Sequence, residues 1–139
     1  MTSFLQYMWA YETVKARIFS MLNKYGLTVS QFWVLDALFH LGSRSQRDLG
    51  THILKSGGNI TMVVDNLEKT GLVRRERSVE DRRFINVHLT DKGKNLFVEI
   101  LPLHLKAVED EMSALTSREM EELGRLCVKL GSKKGDDRK

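Results

Sequence analysis

The sequence contains one cysteine, Cys127, and one proline, Pro102, among 139 residues. A single cysteine cannot form an intramolecular disulfide, and no Cys/His spacing resembles a metal site, so neither a disulfide framework nor structural zinc is expected. No apolar run approaches the roughly 20 residues that span a bilayer, and the N-terminus lacks the features of a secretory signal. These absences predict a cytoplasmic protein with no membrane segment and no cofactor.

Catalytic motifs are absent as well. There is no Gly-rich phosphate loop before a helix, no nucleophile elbow, and no paired carboxylates or Cys/His set at catalytic spacing. The four histidines are scattered along the chain and are expected to be structural: His40, His52, His88 and His104. The sequence therefore gives little support for an enzyme.

The basic residues are concentrated in the middle of the chain. The net charge is +4, and residues 44–94 hold 11 Lys or Arg against 7 Asp or Glu, whereas the flanking segments are close to neutral. A localised basic surface is typical of a protein that contacts a polyanion. The length suits one domain over residues 1–139, with a flexible tail at 132–139.

Apolar residues at spacings of three and four predict six helices. Capping boxes at Thr28–Gln31 and Thr116–Glu119, and a Ser45 cap, mark three of their starts. The helices are expected from Phe4 to Leu22, from Thr28 to Gly42, from Ser45 to Leu54, from Ile60 to Gly71, from the Thr90 cap to Met112 with a kink at Pro102, and from Thr116 to Gly131.

Between the fourth and fifth helices the hydrophobic period changes to two. In the first run, Val73, Arg75 and Arg77 alternate with Arg74 and Glu76. In the second run, Ile85, Val87 and Leu89 alternate with their neighbours. The two runs predict the strands of a β-hairpin. The fold class is therefore mainly α with a small β-hairpin wing. The core at 28–94 has the order of a winged helix-turn-helix. The terminal helices at 1–25 and 95–131 carry more apolar surface than this core needs, so a role as dimerisation helices is one possibility.

In such a fold the fourth helix enters the major groove of DNA. Asn59 and Thr61 can hydrogen-bond to base edges, and Met62 can contact a thymine methyl. Glycines at a helix N-terminus allow close approach to phosphate, so Ser56, Gly57 and Gly58 complete the candidate surface. The alternative is that Ser56 is only an N-cap and the glycines only a turn.

The hairpin tip holds five arginines and three acids in residues 74–83. Arginines on a projecting loop can reach a minor groove, while arginines along the strand can lie near phosphates. Asp81 is close enough to Arg83 to hold its guanidinium in a forked geometry. The DNA-contact candidates here are Arg74, Arg75, Arg77, Asp81, Arg82 and Arg83, and the alternative is a solvated turn with surface ion pairs.

Two strings, SGGNITMVVDNLEKTGLVRR at 56–75 and EDRRFINVHLTDKG at 80–93, resemble the MarR family of multiple antibiotic resistance regulators. The resemblance covers about residues 4–130 and implies an obligate homodimer built from interlocked terminal helices. It implies that residues 56–62 face the major groove, and that Arg83 enters the minor groove braced by Asp81.

Many members of that family bind small aromatic or phenolic effectors beside the dimer helices. The candidates for such a lining are Tyr7, Tyr11, Phe32, Trp33 and Phe39, and the alternative is that they are core and interface aromatics. A thiol-sensing branch uses a cysteine near the N-terminus, which this chain lacks. Cys127 is expected to be buried and inert.

Together these features predict a sequence-specific double-stranded DNA-binding regulator, a repressor released by an effector from a pseudo-palindromic site. Its binding should depend on salt. The alternatives are a winged-helix module that docks a protein partner, and an architectural protein that binds DNA without sequence preference.

Overall fold

The computed structural model describes residues 2–53 and 59–132. Helices dominate the described residues, and the predicted winged helix-turn-helix architecture is confirmed. The elements are α1 (Ser3–Phe19), a 3-10 helix (Ser20–Tyr25), α2 (Val29–Leu41), β1 (Arg44–Ser45), α3 (Gln46–Ile53), α4 (Ile60–Lys69), β2 (Val73–Arg77), β3 (Ile85–Leu89), α5 (Asp91–Met112) and α6 (Ser117–Gly131).

The helix starts follow from local capping. Both predicted capping boxes form, with Thr28 and Gln31 opening α2 and Thr116 and Glu119 opening α6. The Ser45 hydroxyl accepts a hydrogen bond from the Asp48 amide at 3.1 Å, which starts α3. These side chains satisfy amides that have no partner within the helix, so short-range sequence fixes where each helix begins.

The sheet has three antiparallel strands in the order β1-β3-β2. The predicted hairpin is present, with Val73 opposite Leu89 and Arg77 opposite Ile85. The third strand, β1, pairs through Arg44 with Val87 and was not predicted, because two residues are too few to show a period. Strand β2 lies at an edge of the sheet, on the side next to α4.

The hydrophobic core lies between α2, α3, α4, the sheet and the first half of α5. It places α4 at the surface with one face packed inward. Its largest fully buried side chains are Phe32, Phe97, Leu22, Leu35, Leu49, Ile53, Leu67, Ile100, Val34, Val64, Val73 and Val87.

The end of α4 is joined closely to the start of α5. Gly71 has a φ of 76°, a left-handed conformation that glycine adopts without strain. Its carbonyl accepts a hydrogen bond of 2.6 Å from the Thr90 hydroxyl, and the Thr90 amide donates to the Leu72 carbonyl at 3.1 Å. A Cβ on Gly93 would lie 2.1 Å from that Leu72 carbonyl oxygen, so only glycine allows this approach.

Helices α1 and α6 leave large apolar side chains exposed. None of the residues of α6 is buried, although its apolar residues share one face. Cys127 lies on this helix and is exposed, so the prediction that it is buried is wrong for the single chain. No helix in the described ranges is both long and apolar enough to cross a membrane.

Candidate nucleic-acid interface

The first turn of α4 presents an exposed polar surface. Val63, Val64 and Leu67 face the core, which turns Thr61 and Met62 outward, and Met62 is 63% exposed. The N-cap is Asn59, whose Oδ1 accepts a hydrogen bond from the Met62 amide at 3.3 Å.

This cap was missed by the sequence interpretation, which gave Asn59 a base-contacting role and considered Ser56 as the cap. Capping occupies the Asn59 carbonyl oxygen and leaves its amide NH₂ for another partner. The candidates Ser56, Gly57 and Gly58 lie outside the described residues.

At the tip of the wing, Asp81 and Arg83 form a forked ion pair. Arg83 Nε lies 3.0 Å from Oδ1 and Nη2 lies 2.7 Å from Oδ2, and the Arg83 amide also donates to Oδ1 at 3.0 Å. The hydrogen bonds from the Arg83 side chain and amide lower the pKa of the Asp81 carboxyl, and the carboxylate raises the pKa of Arg83. The contact predicted from sequence is therefore present, and both groups are charged at neutral pH.

The turn that carries this pair is held by further hydrogen bonds. The Ser78 amide donates to the Phe84 carbonyl at 3.0 Å, and the Phe84 amide donates to the Asp81 carbonyl at 3.0 Å. Arg77 Nη1 donates to the Arg82 carbonyl at 2.5 Å. Arg77 thus holds the loop in place through the main chain of Arg82.

Arg74 and Arg75 are neighbours in sequence but have different surroundings. The Arg74 side chain is 59% exposed and pairs with Glu76 at 3.1 Å, on the outer surface where a phosphate contact was predicted. The Arg75 side chain is only 21% exposed and pairs with Asp65 of α4. The sequence interpretation grouped Arg75 with Arg74 and Arg77 as arginines that can lie near phosphates, whereas in the structure the Arg75 guanidinium packs against α4.

An open groove of about 530 Å³ separates the wing from α3 and the start of α4. It is flanked by Arg83 on the wing and by Arg47 in the first turn of α3, which is exposed. Its lining is Gln46, Arg47, Ile60, Arg83, Phe84 and Ile85. Arg47 was missed by the sequence interpretation, although the basic excess in residues 44–94 includes it.

The structure does not bring the five effector candidates together. Tyr7 and Tyr11 stack with ring centroids 6.5 Å apart on the exposed face of α1. Phe32 is completely buried, and Phe39 packs partly buried against the same core. Trp33 borders an open pocket of about 310 Å³, which is lined by Trp33, Asp36, Ala37, His40 and Leu41. Tyr7 borders a different pocket of about 300 Å³ between the ends of α1 and α6, which is lined by Phe4, Tyr7, Cys127, Leu130 and Gly131.

Ser43, His88 and Glu76 lie in a row across the sheet. The Ser43 hydroxyl is 2.7 Å from His88 Nδ1, and Glu76 Oε2 lies 3.3 Å from Nε2 without hydrogen-bond geometry. In a serine hydrolase the imidazole faces the nucleophile through Nε2 and the acid through Nδ1, the reverse of this order. The row joins neighbouring strands and is consistent with the structural role expected for His88.

Comparison with known proteins gives a consistent result. The family model described as "Transcriptional regulator SarA/Rot" matches residues 17–100. The HTH-type transcriptional regulator MhqR of Bacillus subtilis is 33% identical over 122 residues, which cover 88% of this chain and 84% of that protein.

Two solved structures show the same fold. The Staphylococcus aureus MepR–DNA complex superposes with a TM-score of 0.82 at 21% identity, covering 94% of this chain and 96% of that chain. The structure of Bordetella bronchiseptica BpsR, described as regulated in DNA binding by 6-hydroxynicotinic acid, gives 0.81 at 23% identity over 95% and 94%. The chain therefore belongs to the MarR-like winged-helix family of DNA-binding transcriptional regulators that includes the SarA/Rot type.

Proposed function

We propose that this regulator binds a pseudo-palindromic DNA site as a homodimer, represses transcription by occupying it, and is released by a small aromatic effector. The observation that carries the proposal is the exposed Arg83, held by Asp81, which lines one groove together with Ile60 at the start of α4. A guanidinium fixed on a projecting loop suits a narrow minor groove, and a helix with short polar side chains suits the adjacent major groove.

The DNA interface is proposed to use three sets of contacts. Thr61 and Met62 read base edges together with the Asn59 amide and residues 56–58. Arg83 enters the minor groove, while Asp81 holds its guanidinium and Arg77 holds the loop. Phosphates are contacted by three exposed arginines, Arg47, Arg74 and Arg82, which provide the salt-dependent part of the affinity.

The homodimer is supported by the apolar faces of α1 and α6. In α6, Leu123 and Leu126 are 42% and 46% exposed, and in α1, Phe4 is 67% exposed. Apolar surface of this extent on a water-soluble protein indicates an interface. A second copy offers the same faces, so a two-fold arrangement covers both sets and presents two recognition helices to a two-fold DNA site.

The pocket beside Trp33 is the proposed effector site. Its aromatic wall can stack on a ring, and Asp36 and His40 at its rim can hydrogen-bond to a hydroxyl or ring nitrogen. BpsR, for which 6-hydroxynicotinic acid regulates DNA binding, makes that compound and simple phenols the first probes. Quenching of Trp33 fluorescence, with Trp33→Phe as the control that retains Trp9, would report binding.

The test of the proposed function is selection of sites from a random duplex pool by the purified full-length protein, at two salt concentrations. Enrichment of a two-fold symmetric motif, with half-sites about one helical turn apart, supports the proposal. Salt-sensitive binding to every duplex without an enriched motif would favour an architectural DNA-binding protein. Absence of DNA binding would favour a winged-helix module that docks another protein.

A further inference from the structure

Arg75 lies on β2, but its guanidinium packs against α4 and the start of α3. Its Nε donates to Gln46 Oε1 at 3.0 Å and its Nη2 donates to the Thr61 carbonyl at 3.1 Å. Its Nη1 lies 2.5 Å from Asp65 Oδ1 and 3.5 Å from Glu68 Oε1. All three nitrogens of the planar fork are therefore in contact with α3 or α4.

The backbone of Arg75 adds another link. Its amide points away from β3, at the free edge of the sheet, and donates to Glu68 Oε2 at 2.8 Å. Gln46 closes the arrangement, because its Nε2 donates to the Thr61 hydroxyl at 3.3 Å. The wing strand, the first residue of α3 and the first two turns of α4 are thereby connected through one side chain.

These links set the distance between the start of α4 and the wing, and the proposed DNA contacts depend on that distance. Thr61, at the start of α4, is fixed through its carbonyl to the strand that leads to the wing tip and Arg83. Because a reader in the major groove and a reader in the minor groove must fit one duplex together, their separation has to be held constant.

We propose that Arg75 is a positioning residue that locks the recognition helix to the wing, and that it is not a phosphate ligand. This inference rests on the proposed function for its effect on DNA, but its effect on the protein can be measured without DNA.

Arginine is suited to this role because its fork can satisfy partners in three directions at once. Lysine carries the same charge on a compact ammonium group and cannot reach Gln46, Thr61 and Asp65 together. As a phosphate ligand, however, lysine serves as well as a point charge. Arg75→Lys therefore separates positioning from phosphate binding, and Arg74→Lys on the exposed side of the same strand is the matched control.

The first experiment is amide hydrogen exchange on the free full-length protein. Arg75→Lys is expected to speed exchange about tenfold at the amides of residues 62–65 in α4, because their helix loses its ties to β2. Arg74→Lys is expected to leave the same amides unchanged. Unchanged protection in Arg75→Lys would overturn the proposal.

A double-variant cycle on the same readout adds a second criterion. If Arg75 acts through Asp65, then Asp65→Asn should also speed exchange in α4, and the double variant should lose about as much protection as the more affected single variant. Additive effects of the two substitutions would show that the residues act independently and would overturn the lock.

The DNA experiment uses the duplex enriched by the wild-type protein and a scrambled duplex of equal length. For Arg75→Lys we expect at least a tenfold fall in affinity for the enriched duplex and no change for the scrambled one. Equal affinities of Arg75→Lys and wild type for both duplexes would overturn a positioning role in DNA reading. Failure of the wild type to enrich a motif would count against the proposed function instead. The hydrogen-exchange experiment alone would then test whether Arg75 holds the recognition helix to the wing.

Discussion

Asp81 grips Arg83 through both carboxylate oxygens, with Nη2 2.7 Å from Oδ2 and Nε 3.0 Å from Oδ1, while 85% of the Arg83 side chain remains exposed. An exposed ion pair stabilises a protein little, because water screens it. Its value here is geometric, because it removes rotamer freedom from an arginine that projects from the wing. The entropy of ordering that side chain is then lost on folding and not on binding.

Arg83→Ala should weaken binding to the enriched duplex roughly ten- to a hundredfold and reduce the preference for A·T-rich flanks, since a specific arginine contact is lost. Fluorescence anisotropy with flank-substituted duplexes measures both effects. Arg82→Ala, one position earlier on the same loop, removes the same charge and should weaken all duplexes equally. Identical profiles for the two variants would remove the special role of Arg83.

Leu123→Glu should dissociate the proposed homodimer, because it places a charge on the apolar face of α6. Sedimentation equilibrium should then report a mass near 16.0 kDa in place of about twice that value, and binding to a two-fold site should weaken sharply. Glu121→Lys, on the opposite side of the helix, is the control and should leave the mass unchanged. A wild-type protein that sediments as a monomer at micromolar concentration would contradict the dimer.

His104 should make stability depend on pH. Burial lowers its pKa below the ordinary value of 6.5, and the Asp36 charge opposes this only in part. Its Nδ1 is buried without a hydrogen-bond partner, and its ring lies 4.7 Å from that of Phe32.

Because the folded state resists protonation of this imidazole, its contribution to stability is complete above pH 6.5. Stability should fall as the pH drops from 6.5 toward the lower pKa of the folded protein. Urea unfolding midpoints at pH 5, 6, 7 and 8, at one protein concentration, should show this fall in the wild type and a flatter profile in His104→Leu. Parallel profiles would contradict the assignment.

Gly93→Ala should destabilise the fold by about 1–3 kcal/mol or more, since its Cβ would overlap the Leu72 carbonyl and the Leu89 side chain, and overpacking of this kind is costly. Chemical unfolding measures the change. Lys94→Ala, at the next and exposed position, should alter the free energy of unfolding by less than about 0.5 kcal/mol.

The sequence predicted those parts of the fold that local chemistry controls. The capping boxes at Thr28 and Thr116 need residues only three apart, and the alternation from Val73 to Arg77 needs only one strand. The Asp81–Arg83 contact was also accessible, because it spans two residues. Strand β1 was missed because its pairing partner, Val87, is more than forty residues away.

The contacts of Arg75 were not predicted because it was grouped with Arg74 and Arg77 as a basic strand, and composition does not show which face of a strand is covered. A signal was nevertheless available, since Arg75 shares its face with Val73, which is almost completely buried. Asn59 was read as a base contact because its role as a cap depends on where α4 begins. For Cys127, sequence periodicity indicated an apolar face, but the residues that the structure describes in a single chain leave it exposed.

The junction formed by Gly71, Thr90 and Gly93 couples the orientation of α5 to that of α4. Lys92 adds a bond from its Nζ to the Thr70 carbonyl at 2.7 Å, so the end of α4 and the start of α5 cannot turn separately. With 22 residues, α5 is about 33 Å long, and a tilt of about 5° at its far end would displace its near end by about 3 Å. That displacement is close to one base step of about 3.4 Å along a strand. We expect a movement at the far end of α5 to shift α4, and with it the proposed recognition surface, by a distance of this order.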